Sequence, residues 1–221
     1  MISAPGQIEQ KSMEIIRAEL AARGIALPEE NEAVILRCVH ASADFDYTEA
    51  LRFTPGAAKK AVEALRRGRD IVTDTNMALA GISRPGLRKL GAAAYCYMAE
   101  EAIAERAKAE GTTRASAAMD YAAERNPGAI FAVGNAPTAL YRLAEQMEKD
   151  LRPALVIAVP VGFVNVVESK ETVFNTCEKK GVPCIAAMGR KGGSSIAAAI
   201  CNALIYTAAD LLDPSARGWQ G

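Results

Sequence analysis

Histidine is nearly missing from this chain: His40 is the single one in 221 residues. With one histidine and no cysteine partner for it, metal ligation and Cys–His catalysis both lack their residues. Net charge is missing too. Lys+Arg and Asp+Glu stand at 26 each, giving a formal charge of +0. A nucleic-acid binder carries a basic excess or a basic stripe, and neither is present. Positive charge that serves an anionic ligand must therefore be local. No apolar run reaches the roughly 18 residues of a membrane span. The opening stretch Met1–Ile16 lacks the basic start and apolar run of a secretory leader. The five cysteines, Cys38, Cys96, Cys177, Cys184 and Cys201, are scattered and show no C-x-x-C spacing. No zinc site and no disulfide framework are expected, and the cysteines suit small buried positions in a reducing cytoplasm. The P-loop, the dinucleotide G-x-G-x-x-G, the G-x-S-x-G elbow and a paired-carboxylate dyad are all absent. No Pro/Gly/Ser-rich linker and no internal repeat divides the sequence, so residues 1–221 form one expected domain.

What is present is rhythm. The first third predicts helices over Ile8–Gly24 and Pro28–Ala43, then a third from Thr54-Pro55 to Gly68, with Thr54 as N-cap and proline in the first turn. After Gly68 short apolar runs follow at Ile71–Thr73, Ala92–Tyr97, Ala129–Val133, Ala154–Val159 and Val182–Ala187. Each has the length of a strand. Amphipathic stretches at 99–110, 112–125, 137–149, 166–180 and 194–209 separate most of them. This alternation predicts an α/β, three-layer, flavodoxin-like fold: a five-stranded parallel sheet with additional N-terminal helices. Ligands in such a sheet lie beyond the carboxyl ends of the strands. The loops of interest are thus 74–83, 134–138, 160–165 and 189–195.

Several residues could carry chemistry, each with a plainer alternative. His40 titrates near neutral pH unaided, so it is the obvious proton donor or acceptor; otherwise it is a part-buried residue bonded to a carbonyl at a helix end. Gly134-Asn135-Ala136-Pro137-Thr138 offers helix-start amides to a carboxylate or phosphate, or is an ordinary helix start. Gly189-Arg190-Lys191-Gly192-Gly193-Ser194-Ser195 reads as an anion nest with two cations, or as a solvated basic turn. Arg114, after Gly111-Thr112-Thr113, is a carboxylate clamp or a surface arginine. Glu168, Lys170 and Glu171 share a helix, where Lys170 reaches a ligand or the three form a solvent face. These residues alone define an anion-binding α/β domain with one acid/base candidate, and no reaction.

Six segments, in order, resemble the precorrin-8X methylmutase family. They are Gln10–Glu19 (QKSMEIIRAE), Val39-His40 leading to Leu51–Ala57 (LRFTPGA), Gly111–Arg114 (GTTR) and Val133–Leu140 (VGNAPTAL). Pro160–Val164 (PVGFV) running to Glu168-Ser169-Lys170, and Gly189–Ser194 (GRKGGS), complete the set. The likeness spans residues from about 8 to 205. It implies a homodimer without bound cofactor that moves a methyl group from ring carbon 11 to ring carbon 12 of a corrin precursor by a 1,5-sigmatropic shift. The products would be hydrogenobyrinic or cobyrinic acid, with any cobalt carried by the substrate. By the same resemblance His40 is the catalytic proton donor/acceptor. Ser12, Arg17, Thr112 and Arg114 match substrate-contacting positions, as do Gly162 and Lys170. The Gly134, Asn135, Thr138 loop and the Arg190, Lys191, Gly192, Gly193, Ser194 loop match segments that line the cleft. The stretch Ser42–Tyr47 resembles the cobalt-using anaerobic branch.

The main rival is a tetrapyrrole carrier without catalysis, which would keep the 190–194 loop without needing His40. A flavin or nucleotide binder is opposed by the missing phosphate fingerprints. A purely structural domain leaves the glycine-rich strand ends unexplained.

Overall fold

The computed structural model describes residues 5–217. Helix α1 (Pro5–Ala22) leads through a 3-10 turn at Glu29–Asn31 to α2 (Glu32–Ser42) and the short α3 (Tyr47–Ala50). Strand β1 (Leu51–Phe53), α4 (Ala57–Arg66) and β2 (Ile71–Thr73) follow. Two short helices, α5 (Asn76–Gly81) and α6 (Arg84–Lys89), precede β3 (Ala94–Tyr95). Then come α7 (Glu101–Ala109), α8 (Arg114–Arg125), β4 (Ile130–Val133), α9 (Pro137–Glu148) and β5 (Leu155–Ala158). Helix α10 (Val166–Lys180), β6 (Cys184–Ala187), α11 (Ser194–Ala208) and a 3-10 turn at Pro214–Arg217 complete the described chain.

Among the described residues the strands form one sheet of six in the order β1-β6-β5-β4-β2-β3. All neighbours are parallel except β1, which pairs antiparallel with β6, Arg52 opposite Ala186. The expected count of five strands is therefore corrected to six. The sixth is Leu51–Phe53, an edge strand that the pattern of apolar runs did not include. The expected N-cap at Thr54 is corrected with it. Thr54 N–H donates to the Cys184 carbonyl at 3.0 Å, and its hydroxyl accepts from Cys184 N–H at 2.8 Å. Those bonds prolong β1, and Gly56, at φ 67°, precedes α4 instead. The run at Ala92–Tyr97 shrinks to two strand residues, because β3 is an edge strand with a single pairing partner.

Why the central strands read as unbroken apolar runs is clear from their two faces. Ile71, Ile130, Ile157 and Ile185 face a core built by α1, α2, α4 and α11. Val72, Phe131, Val156 and Cys184 face the opposite core under α7 to α10. Both faces are covered, so alternation of side leaves no alternation of polarity. Helix α4 shows the one-sided version: Ala57, Ala58, Ala61, Val62 and Leu65 are buried while Lys59, Lys60 and Glu63 are exposed. Helix α11 is apolar almost all round, with Ile196, Ile200, Leu204 and Ala208 buried, because α2, α4, α5 and the sheet enclose it.

From β2 the chain passes to β3 on one side, then returns to β4 on the other. That reversal opens a crevice outside the carboxyl ends of β2 and β4, where ligands of doubly wound sheets bind.

Candidate active site

The crevice is anchored by a residue whose role has no counterpart in the local sequence pattern. Asp74 follows β2 and is buried. Its carboxylate accepts the backbone N–H of Gly134, Asn135 and Ala136, each at 2.8 Å. Burial pushes this carboxyl above its usual value, and the three amides pull the other way. The amides expected to bind a ligand at 134–136 are thus already occupied by an internal carboxylate. That expectation is corrected: Asp74 satisfies the start of α9 from the loop after β2. Asn135 remains exposed, and Thr138 is half-buried. The Thr138 hydroxyl lies 3.0 Å from that of Thr113, which also accepts from Ser116 N–H as the N-cap of α8. This contact brings the Thr112–Arg114 turn to the same rim. Arg114 is exposed there and makes no ion pair among the described residues.

The loop expected as an anion nest has one of its amides taken by the protein itself. Gly193 N–H donates to the Val159 carbonyl at 2.8 Å. Gly192 has φ 151°, and a Cβ built on it would lie 2.1 Å from the Val159 oxygen. A Cβ on Gly134 would come within 2.8 Å of Ser194 Cα. These glycines exist because three strand-end loops touch backbone to backbone. The Ser194 and Thr75 hydroxyls, 2.8 Å apart, add a further tie between the loops after β6 and β2. Gly162 N–H donates to the Arg190 carbonyl at 3.3 Å.

The two cations of that loop part ways. Lys191 Nζ donates to Asp44 at 2.6 Å and Asp46 at 2.5 Å, so it serves the protein rather than open solvent. Arg190 is exposed and lies over the Phe163 ring at 5.3 Å. Val161, Phe163 and Val164 give this rim an exposed apolar stretch. Lys170 answers to neither of its expected descriptions. It is fully buried, and Nζ donates to the carbonyls of Gly189 at 2.8 Å and Lys191 at 2.7 Å. Burial pulls its pKa down to about 8. A signal for this was present: Val166, Val173, Phe174 and Cys177 form the buried stripe of α10, and Lys170 falls within it at helical spacing.

His40 occupies the last turn of α2 and is half-buried. Burial lowers its pKa, Arg37 and Arg217 add to the lowering, and Glu9 opposes it. Glu9 holds Arg37 at 2.8 Å and Arg217 at 2.7 Å, and both guanidiniums lie over Tyr206. The imidazole has no hydrogen bond among the described residues, so the carbonyl-bonded alternative is not what the structure shows. Ser12 stands one turn beyond Glu9 on α1, where its hydroxyl donates to the Ile8 carbonyl at 2.8 Å. Arg17 pairs with Glu32 at 3.1 Å, toward the far end of α2. The candidates thus fall into two groups, Ser12 on α1 and His40 on α2, and the rim residues of the sheet. The Asp44–Lys191 pair joins them, since Asp44 lies just past the end of the histidine helix. A groove of about 880 Å³ between α1, α2 and α4 is lined by Met13, Leu36, Val62 and Leu204, and touches neither His40 nor any loop glycine.

A doubly wound sheet, a crevice at its reversal, a lone uncommitted imidazole and a free guanidinium together define an α/β enzyme domain for an anionic ligand. Comparison with known proteins gives the family. The precorrin-8X methylmutase family model matches residues 7–207, and the chain belongs to that family. The cobalt-precorrin-8 methylmutase of Salmonella typhimurium is 41% identical over 210 residues, covering 93% of this chain and 96% of that one. The precorrin-8X methylmutase of Pseudomonas aeruginosa is 37% identical over 198 residues, covering 89% and 93%. The precorrin-8X methylmutase structure from Thermus thermophilus superposes with a TM-score of 0.82 at 38% identity, covering 92% of this chain and 98% of that one. The chain is accordingly an isomerase of cobalamin biosynthesis that migrates a methyl group within one molecule, and the carrier alternative is set aside. No helix among the described residues is long and apolar enough to cross a membrane.

Proposed function

We propose that this enzyme moves the methyl group of cobalt-precorrin-8 from ring carbon 11 to ring carbon 12, with His40 as the acid that assists the shift. The observation that carries this is the state of His40: half-buried, lowered in pKa and bonded to no protein group among the described residues. A ring nitrogen of the substrate would supply the missing partner. Donation of a proton or hydrogen bond there drains electron density from the macrocycle and favours migration. A 1,5-sigmatropic shift is redox-neutral and self-contained, so the reading asks for no resident cofactor. The substrate is an apolar disc fringed with carboxylates. Exposed Phe163 and Val164 suit its face, and Arg190 and Arg114 suit its rim.

Cobalt-loaded substrate is favoured because the relatives from Salmonella typhimurium, Leptospira interrogans and Priestia megaterium carry that substrate in their names. The parallel strands, in the order β3-β2-β4-β5-β6, support a flavodoxin-like description with β1 as an added edge. A homodimer is supported by Ile8 and Ile15, exposed seven residues apart on α1. The cytoplasm is supported by five free cysteines, four of them buried.

The test is an absorption spectrum of the purified enzyme mixed with cobalt-loaded or cobalt-free precorrin-8. A methyl shift alters ring conjugation, so turnover of the cobalt form is expected as a spectral change. No change with either form would refute the proposal, and change with the cobalt-free form alone would overturn the choice of substrate.

A further inference from the structure

Lys170 is buried with no carboxylate beside it among the described residues, and desolvation is what lowers its basicity. A buried cation without a counter-ion costs stability. Its two acceptors explain what the cost maintains. The Gly189 and Lys191 carbonyls both turn inward to Nζ, at 2.8 and 2.7 Å. The residue between them, Arg190, stands exposed with its guanidinium over Phe163. The loop reverses sharply here, with Gly189 at φ 70° and Gly192 at φ 151°. Neither glycine resists other conformations, so the backbone needs an outside hold to keep one shape. Lys170 provides two bonds of that hold, and the Gly162 bond to the Arg190 carbonyl, at 3.3 Å, a third.

We propose that Lys170 is a positioning residue of the substrate rim: by gripping the carbonyls on either side of Arg190 it aims that guanidinium at a substrate carboxylate. The proposal rests on the methylmutase reading of the site. Lys170 touches no substrate itself, being sealed beneath the loop. Lysine suits the task better than an apolar residue of equal length, because an ammonium donates to both carbonyls at once. Methionine would leave both unpaired.

Turnover of cobalt-precorrin-8 is measured for the wild-type chain, Lys170→Met, Arg190→Met and the double variant. Loss of one aimed, charge-assisted contact is expected to raise KM about tenfold or more in either single variant, with kcat changed far less. The double variant is expected to match Arg190→Met alone, since an absent guanidinium needs no aiming. A Lys170→Met enzyme with wild-type KM overturns the proposal, and so do losses that multiply in the double variant. Should Lys170→Met not fold, Lys170→Gln carries the same cycle, its amide still reaching one carbonyl; an additive result overturns the proposal equally. An inactive wild-type enzyme has a different meaning: it overturns the methylmutase reading, and this inference with it.

Discussion

The carboxylate of Asp74 takes the backbone N–H of Gly134 at 2.8 Å across the point where the sheet reverses its strand order. Two further amides on the same carboxylate make it the cap of α9 from outside that helix. Asp74→Asn would turn an N–H group toward at least one of these donors. The variant is expected to lose about 2–3 kcal/mol of stability, the cost of stranding buried donors. Urea denaturation of wild type and variant reads this directly, and equal midpoints would refute it.

His40→Ala removes the acid while disturbing no hydrogen bond among the described residues. Turnover is expected to fall about 10²- to 10⁴-fold. Circular dichroism should show an unchanged fold. Wild-type turnover in a folded variant would end the role assigned to this imidazole.

The alkaline limb of activity follows from the same residue, since an acid is lost as pH rises through its pKa. The folded-state pKa of His40 lies below its ordinary value, chiefly through burial and then Arg37. The unfolded chain therefore holds more protons in the window between the lowered value and about 6.5. His40's contribution to stability rises with pH through that window and is lost as pH falls through it. The kcat/KM profile of the free enzyme should inflect below about 6.5 for the same reason. Glu9 is the acid that opposes the shift, so Glu9→Gln should move the inflection to still lower pH. An inflection that stays put would show that Glu9 does not set the imidazole.

Gly192→Ala tests the backbone contact between loops. Its Cβ would lie 2.1 Å from the Val159 oxygen, at a φ of 151° that side chains rarely adopt. The loop must move, at a cost of about 3 kcal/mol or more. Thermal melting should fall by several degrees, and KM should rise as Arg190 leaves its place. A stable, fully active variant would contradict the geometry.

Lys191 and Asp44 share one contact, 2.6 Å long, between the glycine loop and the turn after the histidine helix. Lys191→Met and Asp44→Asn should each lower kcat by a few-fold with little change in stability, since the pair lies at the surface with side chains 39% and 34% exposed. The two effects should not add. Additive losses would mean that Lys191 serves the substrate directly.

How much was legible beforehand depends on the range of the interaction. Residue order alone determined the strand–helix alternation, because burial on two faces writes unbroken apolar runs and amphipathic helices write a period near 3.6. It also determined the family, since six short segments keep their order across nearly the whole chain. It marked the strand-end loops by their glycines, of which Gly134 and Gly192 prove to let those loops pack backbone to backbone. Tertiary structure alone decided the sixth strand, the capping role of Asp74 and the partners of Lys170 and Lys191. Asp74 meets Gly134 across 60 residues, and Lys191 meets Asp44 across 147. Periodicity reports the face a residue occupies, and so hinted that Lys170 was buried. It is silent on which distant atom waits there, because a hydrogen bond depends on a few ångströms of separation that only the folded chain establishes.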